Sequence, residues 1–593
     1  MVDRIAVIDR ELFKDLKLGP VIANACPINK AGEECITIDP VTKFPMINEK
    51  LCIGCGLCVK AAERAGCYAI TIVNLPHELK ETPIHRFGPN EFVLFRLPYP
   101  IPGEVVGILG PNGTGKTTAL DILSGGLKPN LGDYTKTQTD FSSVIKMFRG
   151  TELQRYLERL EKSEIRTSVK PQRVDKIPSM YEGKVSKLLE KVDERKIVND
   201  LLKTFQLEHV IDSEISEISG GELQRVAIAA CLAKDADVYY LDEPTSFLDV
   251  FQRLNIAKVI RETCKDRSVM IVDHDLATLD FLADRVHIFY GTPGVYGIVS
   301  KPYGVRVGIN AFLDGYVKED NVRIRSEPIT FFTSLVDRKA SPEILVSFVN
   351  IEKKLDGFEL KIRSGDIRKQ EAIAILGANA LGKTTFARIL AGEIKPDTGM
   401  ISCDVKISYK PQYIQTKFSG TVQELLSTVA DTSTDTYKSE ILRPLELERL
   451  LEKNVQELSG GELQRVSIAL CLSRYADLYL LDEPSAFLDV EQRLTVAKLI
   501  NKIVEVNEKS VLVIDHDLLF LSKVGDRAMV FLGKSGVNGY VDEVTSVRNA
   551  FNTFLKEVGV TFRMDKQTGG PRANKLGSQL DVEQKESGNY FYV

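Results

Sequence analysis

Ser219-Gly220-Gly221-Glu222-Leu223-Gln224-Arg225 returns, 240 residues further on, as Ser459-Gly460-Gly461-Glu462-Leu463-Gln464-Arg465. Each copy is followed by Leu-Asp-Glu-Pro, at Leu241–Pro244 and Leu481–Pro484, and then by Asp-His-Asp around His274 and His516. The three offsets are 240, 240 and 242 residues, so the chain carries one unit twice. Upstream of each copy stands a glycine-rich loop of the form GxxxxGK[ST]. Gly110–Thr117 follows the apolar run Val105–Leu109, and Gly377–Thr384 follows Ala372–Leu376. A buried strand before the loop and a helix pattern after it are the setting in which such a loop cradles phosphate.

The two lysines of these loops are 267 residues apart, so about 27 extra residues sit in the first unit. Gln172 and Gln412 are again 240 apart, which puts the insertion between loop and glutamine. From about 139 to 164 the apolar residues Phe141, Val144, Ile145 and Phe148, then Leu153, Tyr156, Leu157 and Leu160, flank Arg149-Gly150. This spacing predicts two short amphipathic helices joined at a glycine turn. A hairpin grafted on one unit alone reads as a docking device, although a loop insertion needs no function to be tolerated.

The residue types at these positions suit ATP hydrolysis. Backbone N–H groups of the loop, with Gly110, Asn112, Gly113 and Gly115 in the first and Gly377, Asn379 and Gly382 in the second, would surround the phosphates. Lys116 and Lys383 would neutralise the β- and γ-phosphates, with Thr118 and Thr385 beside them. The hydroxyls of Thr117 and Thr384 would ligate Mg²⁺ together with Asp242, Gln172, Asp482 and Gln412. Glu243 and Glu483 would orient and deprotonate the attacking water, and His274 and His516 would hold the γ-phosphate. Ala380-Leu381 stands where the first loop has Gly113-Thr114, so a side chain at 380 is expected to restrict the second loop.

The ordered set resembles the ABC-type ATPase cassette, whose Ser-Gly-Gly loop caps the nucleotide of the opposite cassette. The resemblance implies two composite sites. Site one joins Lys116 to Ser459 and Gly461, and site two joins Lys383 to Ser219 and Gly221. An aromatic ahead of each loop contacts adenine in such cassettes. The matching positions are Phe87 and Phe348, each as readily read as a core phenylalanine.

A net charge of −5 excludes broad electrostatic binding to nucleic acid, so any RNA contact must be local. Basic residues interleave with aromatics in two places. Arg306, Lys318, Arg323 and Arg325 lie among Tyr303, Phe312 and Tyr316, and Arg563, Lys566, Arg572, Lys575 and Lys585 lie near the end. RNA contact and a packed hinge account for both equally well. No apolar stretch is long enough to span a bilayer, and the start lacks a signal-peptide layout, so a cytoplasmic protein is expected.

Of ten cysteines, six lie in the first 67 residues. Cys231, Cys264, Cys403 and Cys471 read as core residues. Cys52-Ile53-Gly54-Cys55-Gly56-Leu57-Cys58 is the CxxCxxC start of a bacterial-type ferredoxin motif, whose expected fourth cysteine falls on Ala62. A Cys-Pro pair survives upstream at Cys26-Pro27.

With these features the whole chain resembles the E-subfamily ABC ATPases, the RNase L inhibitor proteins. The resemblance includes the ferredoxin-like start, Ile72-Val73-Asn74-Leu75-Pro76, the hairpin with Phe148-Arg149-Gly150, and Gly308–Tyr316. It also includes Asp581–Phe591, which is similar to the eukaryotic branch. It implies an α/β fold: twin ABC cassettes head to tail, preceded by a small α+β ferredoxin-like domain, with hinge segments. The divisions are 1–76 for the iron–sulfur domain, 77–294 for the first cassette, 295–345 for a hinge, 346–558 for the second cassette and 559–593 for a hinge tail.

The resemblance implies an ATP-driven factor that splits ribosomes after termination or stalling and stays on the small subunit, with links to initiation. Its partners would be the small ribosomal subunit, a class I release factor or Pelota-like factor, and initiation factors. It would act as a monomer whose cassettes pair within one chain. Other readings are the ATPase engine of a transporter and a non-catalytic ATP switch. Intact Glu243 and Glu483 argue against the switch. The one-sided hairpin and ferredoxin segment argue against the transporter.

The family's first cysteine motif maps its leading positions onto Phe13, Leu18 and Ile22. With Ala62, these are all four ligands of one cluster, replaced by apolar residues. The other four, Cys26, Cys52, Cys55 and Cys58, are present. The expected cofactors are therefore ATP, Mg²⁺ and a single [4Fe–4S] cluster, with an apolar core in place of the second. Zn²⁺ on the same four thiolates is the alternative. Cys67 is a candidate substitute ligand, and Cys35 is read as packing.

Overall fold

The computed structural model describes the chain apart from residues 1–2, 9–12, 14, 41, 49–50, 76–80, 89–90, 135–140, 326, 330–340, 356, 403, 413–417, 566–568, 576 and 593. Pro76, Cys403, Lys566, the first residues of the predicted insertion and part of the predicted hinge therefore lie outside the described residues.

Each cassette is built on a parallel core of five strands. In the first, the order is Arg285–Thr292, Val105–Leu109, Ser268–Val272, Val238–Asp242 and Thr167–Lys170. In the second it is Arg527–Lys534, Ala372–Gly377, Ser510–Ile514, Leu478–Asp482 and Ile407–Lys410. Val105–Leu109 and Ala372–Gly377 are buried at every position, because helices cover both faces of a parallel sheet. That is why these strands read as unbroken apolar runs.

Parallel register sets the chemistry at one edge. Val272 pairs with Asp242 and Ile514 with Asp482, so His274 and His516, two residues on, emerge beside the glutamates. The phosphate loops leave their strands at the same edge, the usual place for ligands in such sheets.

The insertion forms helices Phe141–Met147 and Glu152–Glu161, as the spacing predicts. Thr151 caps the second by accepting from the Gln154 N–H. The hairpin is bedded as well as grafted. Val144, Ile145, Leu153, Tyr156 and Leu157 join the core of the first cassette, and the Tyr156 hydroxyl bonds to the Leu123 carbonyl at 2.6 Å.

At the N-terminus, Asp3–Ile8 pairs antiparallel with Ile70–Leu75, and helices Leu18–Ala25 and Leu57–Arg64 pack beside this ribbon. Phe13, Ile22, Cys26, Cys35, Cys58, Ala62 and Cys67 share one buried cluster there.

The basic, aromatic-rich segments are more internal than an RNA-binding reading requires. Tyr303 and Phe312 are buried, so neither ring is free to stack on a base. Arg325 lies over the Phe312 ring and is paired with Glu491 of the second cassette. Arg572 is buried between Asp280, Asp565 and Asn310, which ties the C-terminal segment to the first cassette and to helix Val305–Asp314. These groups serve packing. Arg306, Lys318, Arg323 and Lys575 remain exposed.

Candidate active sites

In the first site Lys116 is buried inside its own loop, and its Nζ donates to the carbonyls of Gly110 at 2.8 Å and Pro111 at 2.7 Å. Burial lowers its pKa to about 8 against the pull of Glu243, Asp489 and Asp242. Lys383 repeats this with Gly377 and Ala378, at 2.8 and 2.6 Å. Thr118 and Thr385 follow in the first turns of helices Lys116–Leu123 and Lys383–Leu390.

Thr117 Oγ1 donates to Asp242 Oδ2 at 2.7 Å, and Thr384 Oγ1 to Asp482 Oδ2 at 2.7 Å. The other oxygen of each aspartate is buried without a hydrogen-bond partner. Burial pushes both carboxyls up to about 6, opposed by the threonine hydroxyls. A lone buried carboxylate oxygen beside a threonine hydroxyl fits a hard divalent cation, so the residues present suit Mg²⁺.

Glu243 and Glu483 occupy the left-handed backbone region, at φ 47° and 49°. Such strain in a non-glycine residue persists only where neighbours fix it. Here Lys170 Nζ donates to the Asp242 and Glu243 carbonyls at 2.7 and 3.1 Å, and Gln224 Nε2 to the Glu243 carbonyl at 2.7 Å. Lys410 and Gln464 do the same around Glu483. Both lysines are fully buried, and neither drew attention in the sequence.

The glutamate side chains are held as well. Gln172 Nε2 donates to Glu243 Oε1, and Gln412 Nε2 to Glu483 Oε1, each at 2.7 Å. His274 Nε2 stands 3.6 Å and His516 Nε2 3.5 Å from the same oxygens, longer than a good hydrogen bond. Burial would raise these carboxyls, but histidine, glutamine and the loop lysine outweigh it and hold both at about 2. A carboxylate so acidic is ionised at neutral pH and accepts a hydrogen bond from water well.

The second loop keeps the course of the first despite Ala380. Gly113 has φ 75° and Ala380 φ 56°, and their carbonyls accept from Gly294 N–H at 2.9 Å and Gly536 N–H at 3.0 Å. The side chain at 380 therefore costs conformational energy without reshaping the loop.

The cassettes meet through these loops. Asp249 Oδ2 accepts from the Asn379 backbone N–H at 2.8 Å, and Asp489 Oδ2 from that of Asn112 at 3.4 Å. Phe247 and Phe487 meet edge to face with centroids 5.6 Å apart. Ser219 and Ser459 cap helices Gly220–Ala233 and Gly460–Ser473 through capping boxes with Glu222 and Glu462. Gly221 and Gly461 approach the carbonyls of Phe247 and Phe487 so closely that a Cβ would lie 3.2 and 3.0 Å from them. Each Ser-Gly-Gly loop thus rides on the segment that touches the opposite phosphate loop. The sequence motifs did not single out Asp249 or Asp489, because the repeat shows nothing of what crosses between the copies.

Phe348 is a correction. It is 1% exposed and packs edge-on against Phe386 in the second cassette's core, so its ring has no face for adenine. Its strand, Ile344–Leu355, turns alternate residues inward, and Phe348 falls on the inward side. Phe87 is half exposed, against His85. Phe92 and Phe358, which the sequence reading passed over, flank Gly115 and Gly382 of the phosphate loops in matching positions.

The cysteines are gathered but unequal. Cys26 and Cys58 are buried, Cys52 half-buried and Cys55 exposed. Cys52 Sγ accepts the Ala6 N–H at 3.3 Å. Burial first, then Cys26 and Cys52, pushes Cys35 up to about 12, and burial with Cys52 and Cys55 pushes Cys58 up to about 11. Cys35 therefore stands beside two of the expected ligands. Cys67 has Glu452 and Asp15 as its charged neighbours. Among the described residues no three His, Cys, Asp or Glu side chains converge tightly enough for a single metal ion.

Two cassettes, each phosphate loop bonded to an aspartate of the opposite cassette, define an ABC-type ATPase with paired sites, an ATP hydrolase. Among the described residues no helix is long and apolar enough to cross a membrane. The family described as ABC transporter matches residues 101–246 and 360–486.

Over its full length the chain is 50% identical to an uncharacterized ABC transporter ATP-binding protein of Methanocaldococcus jannaschii, covering 98% of that protein. It is 43% identical to translation initiation factor RLI1 of Chaetomium thermophilum, covering 97% of it, and 42% to ABC transporter E family member 1 of Arabidopsis thaliana, covering 99%. The structure of ribosome-bound archaeal Pelota and ABCE1 superposes with TM-score 0.93 at 49% identity, with both chains fully covered. The complex of archaeal stalk protein aP1 with ribosome recycling factor aABCE1 superposes with TM-score 0.83 at 50% identity, over 87% of this chain and all of that one. The chain belongs to the E family of ABC proteins.

Proposed function

We propose that this protein is an ATP-driven ribosome recycling factor acting in the cytoplasm. The observation that carries the reading is the end-to-end likeness to the ABCE1 of the ribosome-bound Pelota structure, joined by the likeness of 87% of the chain to recycling factor aABCE1. In this reading the partners are the small ribosomal subunit and a release factor or Pelota-like factor, with initiation factors engaged afterwards.

Each ATP lies between Lys116 and Ser459 or between Lys383 and Ser219. The Asp249–Asn379 and Asp489–Asn112 contacts mark the closed seam. Glu243 and Glu483 orient water, and Thr117 with Asp242, and Thr384 with Asp482, hold Mg²⁺. We read the chain as an iron–sulfur domain, two cassettes and two hinges, with Tyr296–Val299 added to the first cassette's sheet and Ile344–Leu355 opening the second.

We further read one [4Fe–4S] cluster on Cys26, Cys52, Cys55 and Cys58. A bound cluster would cross-link the four thiolates and stiffen the domain. Support comes from the positions of the missing ligands. Phe13, Ile22 and Ala62 are 2%, 0% and 1% exposed in one apolar cluster, with Leu18 packed against it. Those are the positions of the missing ligands, filled by a core.

The test is subunit splitting on density gradients. The intact protein with MgATP and a Pelota-like factor is expected to convert whole ribosomes to subunits. Glu243→Gln with Glu483→Gln is expected to remain on small subunits with ATP bound. Whole ribosomes persisting with the intact protein would overturn the reading.

A further inference from the structure

A cavity of about 320 Å³ opens between the N-terminal domain and the second cassette, lined by Gly66, Cys67 and Tyr68 on one side and Arg449, Glu452 and Lys453 on the other. Lys453 is 8% exposed, and its Nζ donates to Glu462 Oε1 at 3.1 Å. Glu462 is the capping-box glutamate of the second Ser-Gly-Gly loop, and its other oxygen accepts the Ser459 N–H at 2.8 Å. One buried cation thus connects the wall of the N-terminal domain's seat to Ser459, the serine that the composite-site reading sets against the first phosphate loop.

The first cassette is built differently. Residue 213, at the place of Lys453, is serine. The matching glutamate, Glu222, is met instead by His209 Nε2 at 2.8 Å, and the His209 side chain is 63% exposed. Among the described residues none of the first cassette lines the cavity, so there the connection exists on one side of the molecule.

We propose that Lys453 is a positioning residue through which the seating of the N-terminal domain tunes ATP binding at site one and leaves site two untouched. The physical argument is short. Ser459 presents its hydroxyl at a helix N-terminus, and Glu462 fixes its backbone by accepting its N–H. Lys453 neutralises that glutamate where little water screens it. A shift of the 65–69 segment changes how dry the lysine is kept, and so changes how firmly the serine is aimed. The proposal rests on the composite-site assignment and is tested without ribosomes, so its failure is distinguishable from failure of the recycling reading.

MgATP affinity is measured in the full-length protein by equilibrium binding, with Lys383→Ala isolating site one and Lys116→Ala isolating site two. Lys453→Met is expected to weaken site one about fivefold, the loss of one net hydrogen bond, and to leave site two unchanged. Lys453→Arg is expected to restore site one, which separates the effect from misfolding. Tyr68→Ala, on the opposite wall, is expected to weaken site one as well, and to add less than its own effect to Lys453→Met. Weakening of site two would show that Ser459 serves its own cassette, and would overturn the proposal. Unchanged affinity at site one would overturn it too, as would a Tyr68→Ala effect fully additive with Lys453→Met.

Discussion

Asp249 works with both carboxylate oxygens. Oδ1 accepts the Gln252 N–H at 2.8 Å and caps its own helix, while Oδ2 accepts the Asn379 N–H of the opposite phosphate loop at 2.8 Å. One side chain therefore couples helix stability in the first cassette to closure over the second site, and substitutions can separate the two roles. Asp249→Asn keeps an oxygen for the cap and turns its amide toward another donor. It is expected to melt like the intact protein and to lose about tenfold in MgATP affinity at site two, since hydrogen bonds to charged groups contribute about 1.5–3 kcal/mol. Asp249→Ala is expected to lose the cap as well, about 1 kcal/mol more in a thermal or denaturant melt. Equal melts for the two variants would remove the capping role.

Ala380 holds a conformation that Gly113 adopts freely, and a left-handed alanine costs about 1–2 kcal/mol. Ala380→Gly is expected to stabilise the second cassette by about 1 kcal/mol, less whatever entropy the glycine returns to the unfolded chain. The reverse change, Gly113→Ala, is expected to cost more. Its Cβ would approach the Gly294 nitrogen and Pro293 Cβ at 3.2 and 3.3 Å in addition to the strain. Differential calorimetry of both variants decides it, and a destabilising Ala380→Gly would show that the loop is not strained.

Asp242 and Asp482 give a pH dependence whose sign is fixed by burial. Their folded values, about 6, lie above the ordinary carboxylate value. Without metal, each therefore opposes folding above about pH 6, and that cost disappears as pH falls through 6 toward 4. Mg²⁺ must displace the proton, so its stabilisation of the ATP-free protein is expected to be full at pH 7.5 and to fall about tenfold in affinity per pH unit well below 6. Glu243 and Glu483, held at about 2, act oppositely. The stability they contribute is present above the ordinary glutamate value and is lost as pH falls from there toward 2. Melting temperature against Mg²⁺ at pH 7.5 and 5.5 is the measurement. An Mg²⁺ shift independent of pH would contradict the raised aspartates.

The repeat made the fold legible because each motif sits at the end of a strand that is apolar throughout, and parallel register then assembles the motifs unaided. Less was legible wherever contact crosses between copies. Nothing in Phe247-Leu248-Asp249 announces a partner 130 residues further on. Phe348 was misplaced because strand alternation decides which way a ring points, and counting residues ahead of a loop does not. The basic segments stayed undecided for the same reason. Arg325 and Arg572 fit RNA contact or packing equally in sequence, and what decides between them is a partner far along the chain, Glu491 for the one and Asp280 for the other. The buried lysines Lys170 and Lys410 were hidden because an isolated charge at a strand end reads as surface.

The N-terminal domain supplies a prediction that separates its two halves. If an apolar core has replaced one cluster, the core must contribute stability by itself. Ile22 is fully buried, and Phe13 meets Phe44 edge-on at 5.6 Å. Ile22→Ala is expected to cost about 2–5 kcal/mol in the melting of this domain, as truncation of a well-packed core residue does. The anaerobically purified protein is expected to hold four irons and four acid-labile sulfides and no stoichiometric zinc. Cys55→Ser is expected to lower that iron, and Cys67→Ser to leave it unchanged, since Cys67 faces Glu452 and Asp15. Cys35→Ser is the sharper control, because Cys35 lies beside Cys26 and Cys52 without belonging to the expected set. Retained iron in Cys35→Ser assigns the cluster to Cys26, Cys52, Cys55 and Cys58, whereas loss would make Cys35 a ligand and displace one of the four. Eight irons per chain would refute the apolar replacement outright, because Phe13, Ile22 and Ala62 offer no atom that binds iron.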